Sequence, residues 1–555
     1  MASDDKVSSE PTTAELMALV KSLQQENATI RASYEARIAA LEETIAGLTH
    51  ENALLKRRLF GNKTERLRTT EMQLTLKGLH SEDEVLQKQL DETIGSAGAQ
   101  VPGSSDDSDD EKPPKKAPKG RRDLSASELP RTEVTIDDPH LAARGKLVGH
   151  DTSYQLMRLR GGFMVLVKHT AKYKVPKGEE AAIVAAPSRR TLFPRGLLHP
   201  STVAYLLAKK FALGVPHYRL ERHLESEGVP LHRSLMCRCV EEAGGTLGAT
   251  VCQAMWKDAI ETAAVISTDA TGAMIQPTKE KVKGLRSSCK KSHFFTAIAD
   301  RNHVLFAFAE RHTSDFVKRL FEGFNGYLQC DASNVYDVLE RSPPDMESTT
   351  LVGCWAHCRR YFFEAALCRY PVGVQGLMRI RAIYAVEESF GKVPPSKRKQ
   401  LRNKHMRPLI EDFFAWVASM KAEQEGRNYA TKALGYASNQ QARLERVLDD
   451  GKLLLDNTRS ERSLRTIVVG RKNWMFYGSD THAESAAAIF TLIASCRLHA
   501  LDPTRYLDEI MRLLPYWPSD RFLELAPKNW AATRARLDPR ELDTPLGPYT
   551  IPARA

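Results

Sequence analysis

From Leu16 to Leu59 the apolar residues step along the chain by fours and threes, through Leu16, Val20, Leu23, Asn27, Ile30, Tyr34, Ile38, Leu41, Ile45, Leu48, Asn52, Leu55 and Leu59. That spacing is a heptad seam and predicts a coiled coil within residues 1–68. The consecutive four-residue steps Ile30 to Tyr34 to Ile38 form a stutter, which unwinds a supercoil locally. Asn27 and Asn52 fall on core positions, where a buried amide favours one register and one oligomer state, so the segment reads as a self-association helix. A long helix folded onto the body is the alternative. The cluster Arg57, Arg58, Lys63, Arg66 and Arg68 at its end reads as a solvated basic face.

The periodicity then disappears. Residues 93–122 pass from Gly and Ser through DDSDDE to KPPKKAPKGRR, the composition of a disordered linker. Over residues 123–195 the runs FMVLVKHTAKYKV and AAIVAA, separated by Gly and Pro, predict a small β-rich module. Helical spacing returns over residues 196–255 in TVAYLLAKKFALG, PHYRLERHLESEG and LHRSLMCRCVEEAGG. Two helices joined across EGVPLHRS predict a helix-turn-helix-like region in which Arg233 and Arg238, with His232 and Ser234, face phosphates or a groove. A plain helical hairpin fits the same pattern.

From Ala263 the order of elements becomes diagnostic. Three strand-like runs (AAVISTDATGAMI, SHFFTAIAD, HVLFAFAE) precede alternating helices and strands: SDFVKRLFEGF, GYLQCD, SNVYDVLE, TLVGCWAH and CRRYFFEAAL. An antiparallel meander leading into βα alternation is the arrangement of ribonuclease H-like folds. The fold class expected is therefore multidomain α/β, with a ribonuclease H-like core over residues 260–500, a charged helical insertion over about 369–450, and a C-terminal helical segment and tail over 501–555.

At 555 residues the chain accommodates three or more domains, each with its own core. No apolar run approaches a membrane span, and the acidic start MASDDKVSSE lacks signal-peptide features. Lys and Arg number 80 against 69 Asp and Glu, a net +11 that permits nucleic-acid binding without requiring it. Nine cysteines, an odd number without framework spacing, point to reduced thiols and a cytoplasmic protein.

Three acids stand out against this background. Val265, Ile266 and Thr268 suit a covered strand, so Asp269 sits where an unpaired carboxylate costs several kcal/mol, roughly. Asp331 ends the apolar run of GYLQCDASNVYDVL, and Glu461 follows in LLLDNTRSERSLR, where Asn457 suits a helix cap and Glu461 and Arg465 share a face at i and i+4. Three separated acids are the smallest set that holds two divalent metal ions for phosphoryl chemistry. Taken singly, each acid reads equally as a cap or ion pair. Glu484 in THAESAAAIFTLIASCRL competes with Glu461 for the third place. In GRKNWMFYG, Arg471 and Lys472 flank Trp474, with Arg462 and Arg465 upstream; cations beside an aromatic suit a phosphate backbone and an unstacked base. For Trp474, Met475 and Phe476 themselves a core role is the better reading. Cys354, His357 and Cys358 are spaced too tightly for a convincing zinc site, and a helix with Arg359 and Arg360 beside Tyr361, Phe362 and Phe363 accounts for them more simply.

The segments GCWAHCRRYFFEA, DNTRSERSLRTIVVGRKNWMFYGSD and CRLHALDPTRYL, in this order, resemble the DDE transposases of the insertion-sequence 66 family. The resemblance runs from LFGNKTERL near Leu59 to about Leu514. It implies that Asp269, Asp331 and Glu461 are the catalytic acids holding two Mg²⁺ (or Mn²⁺) ions, with phosphodiester hydrolysis followed by strand transfer. It also implies DNA partners, namely terminal inverted repeats and target DNA; the cations read from the sequence as candidate DNA contacts are Arg233, Arg238, Arg359, Arg360, Arg462, Arg465, Arg471 and Lys472. Homo-oligomers, accessory proteins of the same element and a nucleoid-associated place in a bacterial cytoplasm follow as further expectations. The chain departs from the family in two places. No Cys precedes Met236, so the family's zinc-ribbon position holds HLAARGKLVGHD and KYKVPKGEE, and zinc is not expected. Ala332-Ser333 replaces the usual Gly-Tyr after the second aspartate. The first departure keeps open a catalytically impaired or domesticated DNA-binding descendant, and a coiled-coil scaffold is the remaining class.

Overall fold

The computed structural model describes residues 124–554 apart from 126, 160, 178–179, 195, 277–288 and 341–348. The heptad seam within 1–68 and the linker at 93–122 lie outside the described residues. Among the described residues the chain is mixed α/β with two mixed sheets. It divides into two compact bodies, one containing residues 124–357, 390–407 and 440–554, the other Cys358–Ser389 and Pro408–Asn439.

In the first body β1 (Arg131–Ile136), β2 (Lys146–Leu159), β3 (Gly162–Lys177) and β4 (Glu180–Ala185) form a sheet centred on β3. The β2 strand pairs antiparallel along β3, β1 pairs parallel with its first half and β4 antiparallel with its second. Leu156, Val165, Leu166 and Val167 are buried, so apolar side chains form the core of this module. The Leu156 amide donates to the Leu197 carbonyl, fastening β2 to the segment before α1 (Pro200–Leu207).

Two helices follow, α2 (His217–Ser226) and α3 (Arg233–Leu247), and α3 continues through a π-turn at Gly248–Cys252 into α4 (Gln253–Thr262). Met236, Val240, Ala243 and Leu247 line the buried stripe of α3. Gly244 is on that stripe because nothing larger fits. A Cβ there would press on the Ser485 carbonyl oxygen and lie 2.6 Å from the Ser485 Cβ. Gly244→Val is expected to cost about 3 kcal/mol through overpacking, read as a lower urea midpoint at unchanged slope.

The second sheet is built from β5 (Val265–Ile275), β6 (Lys290–Ala299), β7 (His303–Ala309), β8 (Tyr327–Gln329) and β9 (Thr350–Val352), in the order β7-β6-β5-β8-β9. The first three strands form an antiparallel meander, and β8 and β9 run parallel to β5. Between β7 and β8 lies α5 (Ser314–Leu320); SNVYDVLE, expected as a helix, forms a 3-10 helix at Asn334–Leu339. Phe316 of α5 packs on Phe295 on one face of the sheet, at 5.1 Å between ring centroids.

After β9 come α6 (Trp355–Leu367), α7 (Pro371–Ser389), α8 (Pro395–Leu401), α9 (Arg407–Glu423) and α10 (Tyr429–Asn439). Within the second body Phe362 packs against Phe413 and Trp416, each at 5.8 Å, and Gly376 leaves room for the Phe362 ring. The chain returns to the first body for α11 (Thr458–Trp474), α12 (Asp480–Leu498), α13 (Pro503–Leu513) and α14 (Pro527–Ala535). The edge strand β7 is covered by α12: Val304 and Phe306 donate their amides to the Ser495 and Thr491 hydroxyls at 3.0 and 2.9 Å. No helix among the described residues is long and apolar enough to cross a membrane.

Candidate active site

Asp269 lies on β5, and Asp331 follows the end of β8. In the parallel β5–β8 pair Ser267 is opposite Gln329, and each aspartate stands two residues further on. The Ser267 hydroxyl donates to the Gln329 side-chain carbonyl at 3.4 Å, so the positions two residues back share one face of the sheet. Both aspartates are half-buried. Asp269 Oδ1 accepts the Ala270 amide at 2.7 Å, and Asp331 Oδ1 accepts the Ser333 amide at 3.1 Å. The second bond is a local turn made with Ala332-Ser333 in place, so that departure from the family leaves the acid with an ordinary Asx-type bond. On the other face the Tyr336 hydroxyl lies 3.5 Å from the Thr268 hydroxyl. Burial drives the Tyr336 phenol well above its usual range, and the negative charges of Asp331 and Asp269 add to that push.

Helix α11 is tied to the same strands at both ends. The Asn457 side-chain amide donates to the Thr268 carbonyl at 2.6 Å, and Gln329 donates to the Leu454 carbonyl at 2.7 Å. At the far end the Arg471 guanidinium donates to the Gly272 carbonyl. Asn457, expected as a cap, makes no side-chain capping bond; its backbone, at φ −97° and ψ 21°, lacks the extended geometry of a capping residue, and its amide spans to β5 instead. Glu461 stands one turn into this helix, four residues past Asn457. Glu484, by contrast, is exposed on α12, whose hydroxyls bind β7, and β6 separates β7 from β5.

Several further polar residues lie near the two aspartates. Gln329 is buried and polar within an apolar strand, a signal visible in GYLQCD. His312 and His293 stack at 5.2 Å between centroids, and His312 also lies 5.2 Å from Phe295. Burial lowers the His312 pKa against the opposing pull of Asp331. His312 Nε2, His293 Nδ1 and Asn457 Oδ1 are buried without a hydrogen-bond partner. Only tertiary pairing brings these residues to one end of the sheet. Among the described residues no three His, Cys, Asp or Glu side chains group as a metal site.

The expected DNA-contacting cations are distributed as follows. Arg233 and Arg238 are exposed on α3, with Arg233 at 3.9 Å from Glu221. Arg360 is exposed and Arg359 half-buried on α6. Arg462, Arg465 and Lys472 are exposed on α11, whereas Arg471 is turned onto the β5 carbonyl. Trp474 packs against Phe211 and Tyr477 at 6.2 and 6.3 Å, and the Lys210 ammonium stands 4.8 Å from the centroid of its ring.

Residues 195–485 match the family described as "Transposase IS66 family", and residues 47–134 match one described as "Transposase C of IS166 homeodomain". Three proteins of Sinorhizobium fredii, each described as uncharacterized, align over most of their length. Protein y4qI is 26% identical over 536 residues, covering 93% of this chain and 95% of the relative. Protein y4hP is 25% identical over 512 residues (87% and 88%), and y4jD is 24% identical over 529 residues (89% and 96%). The first family match alone takes in more than half of the 555 residues, and the resemblance carried by the motifs agrees with it: the chain belongs to the IS66 family of transposases.

Proposed function

We propose that this chain is a DNA transposase whose ribonuclease H-like core cuts DNA at element ends and transfers the freed 3′-end to target DNA, with Asp269, Asp331 and Glu461 as its acids. One observation carries the reading. Each aspartate stands two residues beyond the Ser267–Gln329 pair, one on β5 and one after β8, and the helix bearing Glu461 is bound to the same pair of strands through Asn457 and Gln329. The strand order β7-β6-β5-β8-β9 supports the fold assignment.

The donors suit a hard divalent cation. Carboxylate oxygens from adjacent strands and the unpartnered amide oxygen of Asn457 supply oxygen chemistry, as Mg²⁺ or Mn²⁺ prefers. In this reading Asp269, Asp331 and Glu461 hold the ions. When bound, such ions lower the pKa of the attacking hydroxyl and stabilise the leaving oxygen. Asn457 and Gln329 fix the helix against the strands, which keeps the acids in register. Arg462, Arg465 and Lys472 on the exposed face of α11 position the phosphate backbone, and Arg233, Arg238, Arg359 and Arg360 supply further contacts. Arg471 serves the fold by locking α11 to Gly272. Self-association through the heptad seam, accessory proteins of the element and a nucleoid location in the cytoplasm belong to the same proposal.

A second reading, a DNA-binding descendant without turnover, is favoured by the missing cysteine pairs. The full-length protein on duplex DNA carrying the element's own end separates the two. Transposase function predicts strand cleavage in Mg²⁺ that chelation abolishes. Salt-sensitive binding with no cleavage in either condition would establish the second reading instead.

A further inference from the structure

The run GRKNWMFYG divides in an unexpected way at its aromatic end. Trp474 is packed inward, yet Met475 is 70% exposed and Phe476 43%. The backbone enforces this. Met475 has φ +65° and ψ −44°, and the Phe476 amide donates to the Trp474 carbonyl at 2.7 Å, closing a three-residue γ-turn of the rare, strained hand. The turn is pinned on both sides. Before it, the Met475 amide bonds the Arg471 carbonyl; after it, the Tyr477 amide donates to Met274 and the Tyr477 carbonyl accepts from Gln276, both at 2.8 Å. Two large apolar side chains are thus held outward beside Met274, itself 36% exposed, on strained backbone that their own packing does not repay.

Basic side chains stand nearby. Lys472 is exposed three residues before Met475, and the exposed Lys291 is paired with Met274 across the β5–β6 ladder. Lys290 is bound by Glu310 at 2.8 Å and Asp480 at 3.1 Å, so those carboxylates are engaged with it. Met274 follows Asp269 by five residues on the same strand, about 17 Å at strand rise, a distance spanned by roughly five stacked nucleotides.

We propose that Met475 and Phe476 form a wedge that stacks against an unstacked base of the DNA strand running through the candidate active site. The inference rests on the transposase reading and adds to it a contact with bases. Apolar side chains inserted at a base step, flanked by cations on the phosphates, are a recurrent way of holding distorted DNA. A protein partner is a poorer fit. Three side chains are far short of the roughly 800 Å² per partner that a stable interface buries, whereas one base face is matched in size.

The test uses the full chain and two duplexes of equal length, one fully paired and one with a single unpaired 5-iodouracil. The wild type should bind the second about tenfold tighter, and irradiation should crosslink the iodouracil to the peptide containing Phe476. Phe476→Ser should abolish the preference and the crosslink while leaving affinity for the paired duplex unchanged, and Phe476→Trp should retain both. Met475→Gly suits the positive φ, so it should unfold no earlier than wild type while losing part of the preference. An unchanged preference in Phe476→Ser, or equal losses on both duplexes, overturns the wedge and leaves the transposase reading standing. A change confined to self-association or protein capture assigns the turn to a protein contact and overturns it as well. Binding of neither duplex by the wild type overturns both.

Discussion

Asp269→Asn is expected to lower Mg²⁺-dependent cleavage by about a thousandfold, roughly 4 kcal/mol at 1.36 kcal/mol per decade. The substitution is isosteric, and its amide oxygen can still accept the Ala270 amide, so the strand should keep its shape. Affinity for end DNA should stay within about twofold, because base and phosphate contacts are made elsewhere. Asp331→Asn should behave in the same way. Glu484→Gln, altered on an exposed position of the helix that covers β7, should leave cleavage within about twofold of wild type. Single-turnover cleavage and thermal unfolding in parallel decide the matter. Undiminished cleavage by Asp269→Asn would remove the proposed chemistry.

Arg402→Met is expected to destabilise the chain by about 3 kcal/mol, because it strips donors from buried carbonyls. Arg402 is fully buried. Its guanidinium donates to the carbonyls of Val447 at 3.0 Å, Asp450 at 3.2 Å and Leu453 at 2.9 Å. Those carbonyls belong to the loop that runs directly into Leu454 and Asn457, the anchors at the start of α11. Cleavage should therefore fall together with stability, although Arg402 lies outside the candidate site. Arg402→Lys should rescue little, since a single ammonium cannot reproduce the planar fork. Urea unfolding followed by cleavage in Mg²⁺ measures both effects. A midpoint equal to wild type would show that the loop holds itself.

Much of the central sheet was legible in the sequence because its strands are apolar runs bounded by Gly, Pro or charge. The segments AAVISTDATGAMI, SHFFTAIAD and HVLFAFAE correspond to β5, β6 and β7, and GYLQCD and TLVGCWAH contain β8 and β9. The acids Asp269 and Asp331 were conspicuous for a related reason, as charges at covered positions. What local pattern could not show was pairing across distance. Asn457 has the chemistry of a cap, and only the arrival of Thr268, 189 residues away, diverts its amide. Arg471 has the chemistry of a phosphate contact, and only the proximity of Gly272 turns it inward. Trp474, Met475 and Phe476 look alike to any measure of hydrophobicity. A single positive φ at Met475 sends the first into the core and the next two out to solvent. The helix expected over SNVYDVLE takes 3-10 geometry in the short crossover between β8 and β9.

The bond from Gln329 to Leu454 closes a ring of 125 residues. Ring closure is a logarithmic tax on length, so doubling the span would add only about 0.6 kcal/mol. Duplication, loss or replacement of helices of the second body, with Arg402 and the carbonyls it holds left in place, should therefore leave the anchoring of α11 almost untouched. This is a place where lineages can diverge in size while their chemistry stays the same.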